Sequence, residues 1–383
     1  MIHRVHIQNF KSLIDVSVDL SPVTVLVGKS GTGKSNFVES LRFLRDVLQG
    51  RLDQYQRIWP QLRPATLPDT DTRFEVEFSI IGIGETYTYK LTLAKDGPQR
   101  PLIEEQLCLG NKCLFHQLAE GERRRNGATW VAKPELLDVP KPGPIMLGRI
   151  PSISEVVIAF TALTAGIGCY VFPNDVLCGS RQDQRTTGLD DGAKNYLEAL
   201  REIVSDLQDL NIRRSIVSAL QRVNPSVSSV ELNDIQQPSH VVVGHKFNAK
   251  TLELRLSQES DGFRRFYAHL LALYQRPPKQ TLMFEHPEDG IHPGALALLA
   301  EEFKAAPENG RGQVILTTHN PIFLDHFDID QIRVVELTGF ETQIGLVSSE
   351  QLEAIRENLL STGELLTVDP ARTDAPAPEA AGA

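Results

Sequence analysis

Residues Val25 to Leu41 read VLVGKSGTGKSNFVESL. Gly28-Lys29-Ser30-Gly31-Thr32-Gly33-Lys34-Ser35 fits the pattern G-x-x-x-x-G-K-[ST] at every fixed position. The flanks suit it as well. VTVLV, Val23 to Val27, is a continuous apolar run of strand length, as expected of a parallel strand covered on both faces. Beyond the loop, Phe37, Leu41 and Leu44 recur at helical spacing. In such a strand–loop–helix unit the glycines let the backbone curl so that several N–H groups converge on one anion, and the helix adds the positive end of its dipole. Gly28 through Asn36 are therefore the candidate ATP-binding residues. Lys34 is expected to reach the β- and γ-phosphates, and the Ser35 hydroxyl to ligate Mg²⁺.

The rest of the 383 residues bounds the setting. At 41% hydrophobic and 23% charged, the chain has ordinary globular composition and enough length for a sizeable core. A net charge of −10 argues against a dedicated nucleic-acid coat, while leaving room for a local basic strip such as Arg123-Arg124-Arg125. Cys108, Cys113, Cys169 and Cys178 form no CxxC pair and have no histidine at zinc-ligand spacing, so buried or free thiols are expected. With no secretory leader in view, this suits a reducing cytoplasm. No apolar run approaches the ~20 residues of a membrane helix, so no membrane partner is expected; VVIAFTALTAGIGCYVF (Val156–Phe172) comes nearest and is broken by glycines.

Along the chain, IHRVHIQNF reads as a first strand with Val5, Ile7 and Phe10 on its buried side. Gln49 to Thr72 is loop-like. FEVEFSI, TYTYKLTL, LIEEQLCL and KCLFHQL carry antiparallel character. GLDDGAKNYLEALREIVSDL places Leu197, Leu200, Ile203, Val204 and Leu207 on one helical face, with Asp190 or Asp191 as its cap. NIRRSIVSALQRV is a second helix, and VSSVELNDI, HVVVGHKF and TLELRLS are short strands. A helix then runs from Asp261, and TLMF and QVILTT are buried strands either side of ALALLAEEFKAA. Strand and helix alternate as in an α/β protein. The expected division is an ATPase lobe with antiparallel hairpins at 1–180, a helical insertion at 181–235, the remainder of the core at 236–350, and a segment at 351–383. The tail VDPARTDAPAPEAAGA is expected to be disordered.

Three further strings stand in a telling order: SDGFRR (Ser260–Arg265), PEDGIHP (Pro287–Pro293) and THNP (Thr318–Pro321). Together with VHIQNFKSLIDVSVDLSPVTVLVGKSGTGKSN they resemble the heads of RecF-like, SMC-related ABC-type ATPases of the RecF/OLD group, without a nuclease domain. The resemblance covers residues 1 to about 100 and 250 to about 340. It implies a P-loop NTPase with a mixed sheet, an antiparallel β subdomain and a helical lobe. Ser260, Asp261, Gly262 and Arg264 correspond to the family's signature motif, which meets the γ-phosphate of a nucleotide held by a second head, so a homodimer closed by ATP is implied. Arg264 and Arg265 either stabilise phosphate charge or lie on the surface. His319 corresponds to the switch histidine. The family's Q-loop glutamine is not distinguished among Gln54, Gln61 and Gln106.

One position departs from the family. Its Walker B segment ends in an acid that holds the water shell of Mg²⁺, followed by a Glu that orients the attacking water. Here Glu285 retains the first role, and His286 stands in place of the second. Either His286 accepts a proton or positions water itself, its ordinary pKa of about 6.5 allowing this; or Glu288 or a partner residue takes over; or hydrolysis is very slow and ATP acts as a clamp. Losing general-base help commonly costs about 10²–10⁴-fold. Two function classes follow. One is a nucleotide-driven ATPase switch on DNA in repair, maintenance or phage defence. The other is an ATP-bound scaffold that holds a separate effector, a nuclease or toxin.

Overall fold

The computed structural model describes residues 1–55, 57–94, 102–118, 154–179, 188–205, 210–235, 238–248 and 250–374. A six-stranded sheet at the centre has five parallel strands and one antiparallel edge strand. Its members are β3 (Val23–Val27), β8 (Ile167–Tyr170), β12 (Thr281–Glu285), β13 (Gln313–Thr317), β14 (Ile332–Thr338) and β15 (Glu341–Gly345), in the order β15-β14-β3-β13-β12-β8. The continuous apolar runs mark strands covered on both faces, as expected: all five residues of β3 and of β13 are buried. Alternate side chains serve different cores. Val25, Phe284 and Leu316 point into one hydrophobic cluster, and Leu26, Met283 and Ile315 into the other.

A second six-stranded sheet is wholly antiparallel. It comprises β1 (Ile2–Phe10), β2 (Leu13–Asp19), β4 (Thr72–Phe78), β5 (Tyr87–Leu93), β6 (Leu102–Leu109) and β7 (Lys112–Leu118), ordered β2-β1-β4-β5-β6-β7. Val5, Ile7 and Phe10 are fully buried. Helix α1 (Lys34–Leu48) fills the space between the sheets, with Phe43 packed on Phe10, Phe74, Tyr55 and Trp59. Helix α2 (Ser154–Leu163) joins that layer. The near-membrane run of the sequence is thus α2 followed by the core strand β8.

The other face of the central sheet carries α3 (Tyr196–Ser205), α4 (Leu210–Val223), α5 (Asp261–Tyr274), α6 (Pro293–Glu308) and the short α7 (Pro321–Leu324). Beside them β9 (Val227–Asn233), β10 (His240–Phe247) and β11 (Lys250–Arg255) form a three-stranded antiparallel sheet. A boundary at 235 would fall between paired strands β9 and β10. Neither aspartate expected to cap α3 does so. Asp190 instead closes the preceding turn, accepting from the N–H groups of Gly192, Lys194 and Asn195, and Asp191 pairs with Arg45. The tail corrects one expectation. Helix α8 (Ser349–Arg356) is followed by chain that folds back, and Val368–Asp374 is held there: Thr373 bonds Glu336, Asp374 bonds Ser349, and Arg372 pairs with Glu350 and Asp369. Its composition resembles linker, but these side chains find fixed partners on the folded body. Residues 375–383, Arg123–Arg125, Val204 and Leu207 lie outside the described residues or side chains.

Candidate active site

The loop between β3 and α1 is built by close approach. Gly33 has φ +109°, and a Cβ there would meet Thr342 Oγ1 at 2.1 Å; a Cβ on Gly28 would meet the Val335 carbonyl at the same distance. Only glycine lets the loop lie this close to β14 and β15. A chain of hydrogen bonds then fixes it. The Asn36 amide donates to Ser12 Oγ (2.8 Å), Ser12 Oγ to Thr342 Oγ1 (2.6 Å), and Thr342 Oγ1 to the Thr32 carbonyl (2.8 Å). Ser12 lies in the opening string of the family resemblance, and Thr342 lies in no motif. They lie 20 residues before and 310 after Thr32, so no local pattern marks their pairing.

Lys34 is buried, and its ammonium donates to the carbonyls of Gly28 and Lys29, both at 2.9 Å. Burial pulls its pKa down, opposed by the charge of Glu288. The first turn of α1 has no acid to compete for an anion. Gly28–Gly31, Gly33–Asn36, His286 and His319 surround a cavity of about 480 Å³. Leu365, Leu366, Pro370 and Ala371, from the folded-back C-terminal segment, also line it, and no motif in the sequence marks them.

Strands β12 and β13 are parallel neighbours, with Glu285 opposite Thr317, so the loops that carry His286 and His319 leave the same sheet edge. The His286 N–H donates to the Thr317 carbonyl (3.1 Å), and the residue adopts φ +47°, an uncommon left-handed conformation that histidine tolerates better than most residues. The rings of His286 and His319 meet with Nδ1 to Nδ1 at 3.0 Å. Glu288 lies beneath them. Its Oε1 accepts from Thr318 Oγ1 (2.6 Å) and lies 3.9 Å from His286 Nδ1. The Glu288 carboxylate raises the His286 pKa against the opposing effect of burial. Burial pushes the Glu288 carboxyl up, but His286 and the Thr318 hydroxyl more than reverse that, leaving it below its usual range.

Glu285 faces α1, with Oε1 3.4 Å from Arg42 Nη2. Arg42 also approaches Asp191 at 3.6 Å, and Arg45 grips Asp191 through two contacts of 2.8 Å. The magnesium acid proposed from sequence is therefore tied to the P-loop helix by an arginine that sequence reasoning did not single out. Gln106, on β6, donates to Cys113 instead of facing the cavity.

Ser260 caps α5, accepting from the Phe263 N–H at 3.3 Å, and is exposed together with Asp261. Gly262 abuts the loop after β12, where a Cβ would meet the Gly290 carbonyl at 2.8 Å. Arg264 and Arg265 are not surface arginines: both are buried. Arg264 binds Asp261 and the carbonyls of Val176 and Glu259, and Arg265 binds the Asn174 side chain. Ser260, Asp261, Gly262 and Arg264 are not among the residues lining the cavity of their own chain.

A glycine cradle at a helix start, closed at the edge of a mixed sheet by the ends of β12 and β13, defines a P-loop ATPase head of ABC type, related to the RecF, OLD and SMC group. The fold matches that of the Smc head bound to the C-winged helix domain of ScpA, with a TM-score of 0.55 and 15% identity over 91% of this chain and 99% of that one. It also matches the Pyrococcus furiosus Smc head with an extended coiled coil bound to the C-terminal domain of ScpA, with a TM-score of 0.55 and 14% identity over 94% and 99% of the two chains. Residues 23–325 match the family described as AAA domain, putative AbiEii toxin, Type IV TA system, and the chain belongs to that family. An OLD nuclease from Thermus scotoductus is 20% identical in an alignment of 361 residues that covers 88% of this chain. The chain spans 62% of that relative's length. Among the described residues, no helix is long and apolar enough to cross a membrane.

Proposed function

We propose that this chain is an ATP-driven switch with slow hydrolysis: MgATP sits in the cradle of one copy and is sealed by the exposed helix start at Ser260–Gly262 of a second. The observation that carries this reading is the split of the motifs within one chain. The cradle, His286 and His319 share a cavity, whereas Ser260 and Asp261 are exposed elsewhere. The residues present suit MgATP. The loop N–H groups and Lys34, now held by its own loop carbonyls, would take the phosphates. The exposed Ser35 hydroxyl would ligate the cation, and Glu285 would hold its water while sharing Arg42. The cation's contribution is to neutralise phosphate charge. His319 contacts the terminal phosphate, and the Glu-to-His change at 286 removes the usual water-orienting carboxylate.

Closing two heads would make or remove a surface for DNA in repair, maintenance or defence. The alternative, a scaffold for a separate nuclease or toxin effector, is favoured by His286, since a scaffold needs binding more than turnover. Kinetics of phosphate release test the core of the reading. Lys34→Ala should abolish nucleotide binding. His286→Glu should leave binding intact and raise single-turnover hydrolysis by about tenfold or more, general-base help being worth up to about 10²–10⁴-fold. Brisk turnover by the wild type, lowered by His286→Glu, would overturn the impaired-site reading.

A further inference from the structure

The substitution that removes a carboxylate at 286 also assembles a donor set. His286, Glu288 and His319 each offer one ligand atom, and these atoms all lie within 4.8 Å of one another. Two of the three separations are direct: 3.0 Å between the imidazole Nδ1 atoms and 3.9 Å from His286 Nδ1 to Glu288 Oε1. Ligand atoms in a tetrahedral zinc site, with Zn–N of about 2.0–2.1 Å, stand about 3.3 Å apart, so the observed distances bracket that spacing. Two facing imidazole nitrogens repel unless a proton or a cation lies between them.

A second observation points the same way. The Glu288 side chain is 2% exposed, and its Oε2 atom is buried without a hydrogen-bond partner. Leaving a buried carboxylate oxygen unsatisfied is unfavourable, and the carboxylate whose Oε1 lies 3.9 Å from His286 Nδ1 thus keeps its other oxygen available to a ligand.

We infer that His286, Glu288 and His319 form a binding site for a divalent transition-metal ion, separate from the Mg²⁺ that accompanies nucleotide. Two imidazoles and one carboxylate suit Zn²⁺, Co²⁺ or Fe²⁺, whereas Mg²⁺ favours an octahedron of oxygens. The set matches that of catalytic zinc centres, which keep a fourth position open for water. The open side faces the cavity that the two histidines share with the P-loop. The binding itself does not depend on the nucleotide reading above.

The test uses the untagged full chain, stripped with chelator and free of nucleotide. Co²⁺ is followed by its visible ligand-field absorption and Zn²⁺ by calorimetry. One ion per chain should bind. His286→Ala and His319→Ala should each weaken binding by about tenfold or more, equivalent to about 1.4 kcal/mol, with unchanged circular dichroism. His240→Ala, on the three-stranded sheet, should bind as the wild type does. Absence of Co²⁺ binding, or binding that survives both active-site histidine changes, overturns the inference. Neither result touches the nucleotide reading, which is judged by ATP binding to the wild type against Lys34→Ala.

Discussion

Gly33 and His286 show how single residues set this site. At Gly33 the close approach of Thr342 leaves no room for a Cβ. At His286 a left-handed backbone ends the strand alternation of β12 and accompanies the meeting with His319. A third residue, His269, makes stability depend on pH. It is buried among Phe172, Phe284 and Phe303, and its ring N–H donates to the Arg265 carbonyl. Burial pushes its pKa down to about 3. The folded protein therefore binds fewer protons at this site than the unfolded chain, whose histidine titrates at about 6.5. Its penalty is absent above that value and grows as pH falls below it, towards the folded value. Between about pH 7.5 and pH 5, this residue should cost the wild type about 2 kcal/mol of unfolding free energy. His269→Gln, which keeps a donor but does not titrate, should lack that increment when the two are compared by chemical denaturation. An equal loss in both would show that other groups set the acid sensitivity.

Among the elements, α5 has the least expected construction. A sequence reading leaves Arg264 and Arg265 as phosphate ligands or surface charges, because charge alone does not say what an arginine touches. The fold buries both and uses them to tie the start of α5 to Asn174–Val176. Arg265→Ala leaves the Asn174 side-chain oxygen without this donor and should destabilise the protein by about 1–3 kcal/mol, seen in thermal or denaturant unfolding. Nucleotide affinity of the isolated chain should stay within about twofold, a shift under ~0.5 kcal/mol, because α5 does not line its own cavity. A large loss of affinity with unchanged stability would place Arg265 in the nucleotide site of its own chain. The pairing of β12 and β13 is better announced by sequence: both are short apolar runs ending in polar residues, and each carries a chemical motif just beyond its end.

At the level of the whole molecule, the split motifs predict an assembly. Sedimentation velocity should show a shift from monomer to dimer with MgATP. Ser260→Arg should abolish that shift while leaving ATP binding intact, since an extra bulky cation at an exposed helix start disturbs a partner's site and not its own. DNA binding that needs MgATP, and that falls steeply with salt, should accompany the dimer if DNA is the target. Dimer formation by Ser260→Arg equal to that of the wild type would remove this helix start from the interface. The folded-back segment also belongs to this scale. Leu365, Leu366, Pro370 and Ala371 line the same cavity as the P-loop, so the C-terminal segment bears on the space that the P-loop shapes.

The P-loop and the buried parallel strands β3, β12 and β13 were legible in the sequence, because each depends on local chemistry: glycine spacing and short apolar runs. The antiparallel sheet was legible for the same reason, through strict alternation along β4 and β5. Tertiary structure decided what local pattern does not encode. It brought Thr342 against both Thr32 and Ser12, assigned Arg42 to Glu285, buried Arg264 and Arg265, and folded Val368–Asp374 onto the body. It also gathered His286, Glu288 and His319 into one cluster. These outcomes depend on which distant surfaces meet, and that is fixed by packing two hydrophobic layers around a common sheet rather than by the propensity of any one segment.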